Sequence, residues 1–259
     1  MNPPSYFIPL ITLSMLIFGI GVYLNIARKI TGFLFAWKTI IDFRKFNAHA
    51  FWRAFFRDVV FLEWLKKENK VRWLRHLLLY WGFLALWLFD IAFAIAAKFL
   101  PDNNRFILFL HAGLDLSGLV LLSGTLFAML RFLLVRKTSD RVFSYLFEVT
   151  LLFLVTISGF ALEIMHILSV PEKNSYSSHL IGYSVALLIE PLKLPWGNLL
   201  PAAMFIHLIF VAGFFAFIPF SRLAHIIATP IGRLLNSQDL ILREKRRAIV
   251  SGLLNDMED

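Results

Sequence analysis

Five runs of about twenty or more mostly apolar residues constrain this chain more than any other feature, because that is the helix length needed to cross a hydrocarbon core about 30 Å thick. They lie at Tyr6 to Ile26, His76 to Ala97, Phe106 to Leu130, Phe143 to Ser169 and Pro201 to Ile227. Lipid offers no partner to a backbone N–H or C=O, so each run is expected to be a helix that satisfies its own hydrogen bonds. The predicted fold class is an all-α integral membrane bundle of five transmembrane helices. Composition agrees: 59% apolar and 17% charged residues, with a mean hydropathy of +0.71, exclude a soluble domain. A sixth apolar stretch, His179 to Leu192, is short, carries Glu190 and meets Pro191. It predicts an interfacial or re-entrant helix. The first run follows no basic segment and is expected to remain as a helix rather than be removed as a signal peptide.

The placement of charge sets the orientation. Lysine and arginine fall twelve between Arg28 and Arg75, four between Arg131 and Arg141, and six from Arg222 onward. The opposite side holds Lys98, Arg105, Lys173 and Lys193. The positive-inside rule then puts the N-terminus outside and the C-terminus in the cytoplasm, as a multi-pass protein of the cell inner membrane. The net charge of +9 is explained by topology, which removes nucleic acid as a partner. Residues 1–235 are expected to form the membrane domain and 236–259 a cytoplasmic tail. Within the connection 28–75, FWRAFFRDVVFLEWLKKENKVRWLRH mixes aromatics with cations, as a surface-lying amphipathic helix or a docking site for a soluble partner does. No internal repeat, P-loop or nucleophile elbow is present.

Ionisable groups inside spans are expensive, and each is a functional candidate. His49 and His179 read as loop residues, whereas His76, His111, His166, His207 and His225 lie within or at the ends of spans. His207 and His225 are 18 residues apart on the fifth run, five helical turns, which places them on one face about 27 Å apart if Pro219 does not bend the helix. By depth the histidines pair His76 with His225 at the inner level and His111 with His207 at the outer level. Two imidazoles facing each other across a bundle hold a b-type haem without covalent attachment, so the pattern fits two stacked haems. It equally fits hydrogen-bonded structural histidines. Zinc wants more ligands than each pair offers. With no cysteine, the chain holds no iron–sulfur cluster, zinc-thiolate site or covalent c-type haem of its own.

The segment MFIHLIFVAGFFAFIPFSRLAHIIATP, Met204 to Pro230, resembles the fifth helix of the respiratory nitrate reductase gamma subunit family. The likeness covers a histidine on each side of an apolar run and the PFSRL-x-H-I block at Pro219 to Ile226. The resemblance implies His207 as a ligand of the outer haem, and His225 with His76 as ligands of the inner one. One departure matters: the family's second-helix histidine falls here on Leu86, which leaves His111 as the candidate for the outer haem. That arrangement, together with RHLLLYWGF at Arg75 to Phe83, is similar to the cytochrome b subunits of heterodisulfide reductases and of the sulfite-reductase-associated membrane complex. Arg222 is a candidate partner for a haem propionate, or a headgroup anchor.

The resemblance implies a cytoplasmic iron–sulfur partner like the catalytic subunits of heterodisulfide reductases. Further membrane or periplasmic subunits are also possible partners. A quinone in the lipid is the expected carrier at the other end. Hydroquinone oxidation releases two protons, and Asp90, Asp115, Glu163 and His166, all in the outer half, are the candidates to receive them. Glu148 reads as a hydrated end residue, and Gly113, Gly118 and Gly124 as sites of close helix or haem approach. Two other readings compete with an electron-carrying subunit. One is a haem-free transporter or channel with a proton path, and the other is a structural membrane anchor.

Overall fold

The computed structural model describes residues 7–40, 48–101, 104–135, 140–170 and 179–221. These residues form helices α1 (Phe7–Ile40), α2 (Ala48–Ala54), α3 (Glu63–Glu68), α4 (Lys70–Ala96), α5 (Arg105–Val135), α6 (Asp140–Ser169), α7 (Leu180–Ile189) and α8 (Trp196–Phe217). Among the described residues, five helices are long and apolar enough to cross a membrane: Phe7–Leu24, Lys70–Ala96, Arg105–Leu134, Tyr145–Ser169 and Trp196–Phe220. At 1.5 Å per residue, the 27 residues of α4 span about 40 Å, more than a bilayer core requires. The expected five spans are therefore present, and the chain is a multi-pass membrane protein.

The chain divides into two compact units, residues 1–18 with 74–221, and residues 19–73 with 222–259. In the first unit α6 packs against α5, α7 and α8. Ile167, Leu168 and Ala186 are buried between α6 and α7, and Ala96, Ile107 and Leu110 between α4 and α5. A Cβ on Gly82 would lie 2.7 Å from the Leu121 backbone nitrogen, and one on Gly124 3.0 Å from Leu78 Cβ, so α4 and α5 approach through their glycines. Gly113 and Gly118 seat the rings of Phe89 and Phe160. All three glycines singled out on α5 thus serve packing between elements. Three hydroxyl groups return their protons to the preceding turn, Ser117 to Leu114, Thr125 to Leu122 and Thr156 to Leu152, which satisfies these donors inside apolar helices.

Several boundaries differ from expectation. The second span begins at Lys70 rather than His76, because the Asn69 side chain accepts the Arg72 N–H at 2.9 Å and caps the helix. The fifth begins at Trp196, with Pro201 inside the helix. Its α-helix stops at Phe217, passes through a 3-10 turn at Ile218–Phe220 and reaches extended backbone at Ser221 (ψ 169°). Pro219 has no N–H to continue the ladder, so the unbroken five-turn register between His207 and His225 does not hold. Glu148 is buried at 2% exposure, not hydrated as expected. In the second unit the basic connection is not one amphipathic helix. A π-helical turn at Phe55–Val60 and Leu62 in the left-handed region (φ 49°) separate α2 from α3. Trp73 Nε1 donates to the Phe61 carbonyl at 2.7 Å, Lys66 lies over the Trp73 ring, and Trp52, Phe56 and Phe61 are exposed. The proposed tail, 236–259, lies outside the described residues.

Candidate functional site

A polar group assembles inside the first unit where α5, α6 and the start of α7 meet. Asp115 lies on α5 one turn after His111 and is 2% exposed. Its Oδ2 accepts the backbone N–H of Ile181 at 2.7 Å, so a carboxylate from one helix caps the N-terminus of another. His179 immediately precedes α7, and its Nδ1 lies 2.5 Å from Glu163 Oε1 on α6. The His111 ring is 4.0 Å from the His179 ring and 4.6 Å from Phe93. Gly182 makes room for this arrangement, since a Cβ there would sit 2.6 Å from the Glu163 carboxyl carbon. Thus a short helix that crosses nothing brings together Asp115, Glu163, His179 and His111.

One turn earlier on α6, Ser158 and Gly159 receive the imidazole of His207 from α8. The Ser158 hydroxyl lies 3.1 Å from the Val155 carbonyl and 2.9 Å from His207 Nδ1, and the tautomer of the imidazole decides which of the two receives its single proton. In the tautomer protonated at Nδ1, His207 donates to Ser158 and carries its lone pair on Nε2. Gly159 backs the ring, where a Cβ would be 3.4 Å from Cε1. Asp90, exposed on α4, is close enough to interact electrostatically with His207. Gly159 and Glu163 are four residues apart, so the His207 and His179 levels are separated by about 6 Å along α6.

The remaining candidates are more dispersed. His76 is half-buried on α4 beside Arg75, whose guanidinium lies over the Tyr145 ring at 5.4 Å. Buried Glu148 and Arg131 act electrostatically on that tyrosine. His166 is exposed on α6, outside the group formed by Asp115, Glu163 and His179. His225 and Arg222 lie outside the described residues. His179 is non-helical, as expected of a loop residue, but it joins the site, which its loop position did not suggest. Its position directly before an apolar stretch was the available signal, because a residue there enters the bundle with the helix it precedes.

A metal-binding imidazole is oriented by a partner on its other ring nitrogen, and Ser158 stands in that position at His207 Nδ1. The nitrate reductase gamma subunit family matches residues 94–245, more than half of the 259-residue chain. The chain belongs to this family. It is similar to the E subunits of dihydromethanophenazine:CoB–CoM heterodisulfide reductases. The one from Methanosarcina barkeri (strain Fusaro / DSM 804) is 32% identical over 190 residues, covering 69% of this chain and 64% of the relative. Those from Methanosarcina mazei and Methanosarcina thermophila are 29% and 28% identical, covering 69% of this chain and 65% and 64% of the relatives. The chain therefore spans about two thirds of the length of these curated relatives, or slightly less. The expected likeness to heterodisulfide reductase membrane subunits is borne out. No solved structure matches.

Proposed function

We propose that this chain is the electron-carrying membrane subunit of an oxidoreductase complex, and that it links a hydroquinone in the lipid to a cytoplasmic iron–sulfur partner. The observation that supports it most is the His207 imidazole. Ser158 Oγ lies 2.9 Å from its Nδ1, and in the tautomer that donates to this oxygen the Nε2 lone pair is left for a metal inside an apolar bundle. His207 with His111, and His76 with His225, are the proposed ligands of two b haems, with Arg222 beside the inner one. When bound, the haems supply one-electron carriers at two depths.

The chain's own residues handle the protons. Oxidation of a hydroquinone to a quinone releases two electrons and two protons, so bases are needed beside the reacting hydroxyls. Asp115 and Glu163 are the proposed acceptors, joined by His179. Asp90 and His166 are secondary candidates. In the orientation set by the basic connections, these groups lie in the outer half, and oxidation there releases protons outside the inner membrane. A quinone bound at the inner level would contradict that direction.

The names of the relatives support the partner assignment, since each belongs by name to a heterodisulfide reductase. Single replacements test the ligands. His76→Ala or His225→Ala should remove one haem from folded protein, and His111→Ala or His207→Ala the other. Unchanged haem content in His111→Ala would transfer the outer ligand role to another residue.

A further inference from the structure

We propose that Asp115, Glu163 and His179 form a binding site for a divalent cation of the zinc type. The three side chains belong to α5, α6 and the residue preceding α7, and each offers a ligand atom, all within 4.8 Å of one another. Bonds of about 2.0–2.2 Å to zinc place ligand atoms roughly 3.3 Å apart in a tetrahedral shell, so modest side-chain rotation closes the group around an ion. Two ionised carboxylates and a neutral imidazole carry two negative charges, which one divalent cation balances. In an apolar bundle such a balance weighs heavily, because isolated charges there are costly.

The donor set selects among cations. An imidazole nitrogen with two carboxylates suits zinc and neighbouring transition metals better than magnesium or calcium, which take oxygen ligands. The ligands are also positioned by their surroundings. The Ile181 N–H holds one Asp115 oxygen, the missing Cβ of Gly182 makes room for the Glu163 carboxyl, and the His111 ring lies against His179. Three protein ligands leave a fourth position for water or an exogenous group. None of the three is a proposed haem ligand, so zinc binding is read separately from haem binding. Asp115 and Glu163 are also the proposed proton acceptors, and a cation and protons would compete for their oxygens.

The test equilibrates the purified full-length protein with zinc alone, after its haem has been counted separately. One zinc per chain is expected, with X-ray absorption at the zinc edge showing a nitrogen and oxygen shell that contains one imidazole. Asp115→Asn, Glu163→Gln and His179→Asn should each weaken zinc binding at least tenfold, while His49→Asn, on exposed α2, should leave it unchanged. Absence of bound zinc, a shell without imidazole, or unaltered affinity in His179→Asn overturns the proposal. The absorption measurement reads the native chain, so it decides the matter even if Asp115→Asn fails to fold. Loss of haem alone leaves this result intact and counts only against the electron-transfer reading.

Discussion

Ser158 is the hydrogen-bonding neighbour of His207 at Nδ1. Its oxygen lies within hydrogen-bond distance of both the Val155 carbonyl and His207 Nδ1, and accepting the Nδ1–H leaves Nε2 with the lone pair. Groups that orient a metal-binding imidazole in this way typically contribute 10- to 100-fold to metal affinity. Ser158→Ala should therefore weaken retention of the outer haem by about tenfold or more and shift its midpoint potential, and Ser158→Thr should restore both. Potentiometric titration of the visible bands checks this. An unshifted potential in Ser158→Ala would show that the serine plays no part in tuning the haem. The sequence made His207 legible as an ionisable group in an apolar run, but Ser158 is one of several hydroxyls in spans and nothing in its own segment distinguishes it. His179 was hidden for a different reason. It sits at the edge of a polar stretch, and only the packing of α7 against α5 and α6 carries it to Asp115 and Glu163.

At the level of elements, hydrophobic length was a dependable guide because lipid-facing backbone has few alternatives to helix. All five spans lie where the apolar runs predict, and the short sixth stretch is a ten-residue helix that does not cross. Ends were less legible. A cap is a local contact, and the Asn69 side chain begins α4 within a segment whose mixed aromatic and basic composition read as one amphipathic helix. Asn69→Ala should cost about 1 kcal/mol in a detergent denaturation series, as loss of a capping side chain does elsewhere. Stability equal to that of the native chain would show that the α4 N-terminus is held by other contacts. The fifth helix illustrates the opposite error. Counting residues from His207 to His225 presumes an unbroken helix, and Pro219 with extended Ser221 breaks it.

For the whole molecule, family membership and five apolar helices establish a multi-pass membrane protein, while the orientation rests on the distribution of cations among the connections. Because the chain has no cysteine, single cysteines can report sidedness directly. Lys173→Cys in intact cells should react with a membrane-impermeant thiol reagent, and Lys137→Cys should react only after the membrane is opened. The reverse pattern would invert the topology and move the acidic group to the inner half. The proposed function stands or falls on whether the bundle carries two b haems between a hydroquinone and a cytoplasmic partner. A hydroquinone-reduced minus oxidised visible spectrum of the purified, folded chain, with haem quantified per chain, decides this. The expected result is b-type bands from two haems per chain, reduced by hydroquinone. A haem-free chain, made where haem was available, would contradict it and favour the transporter or anchor.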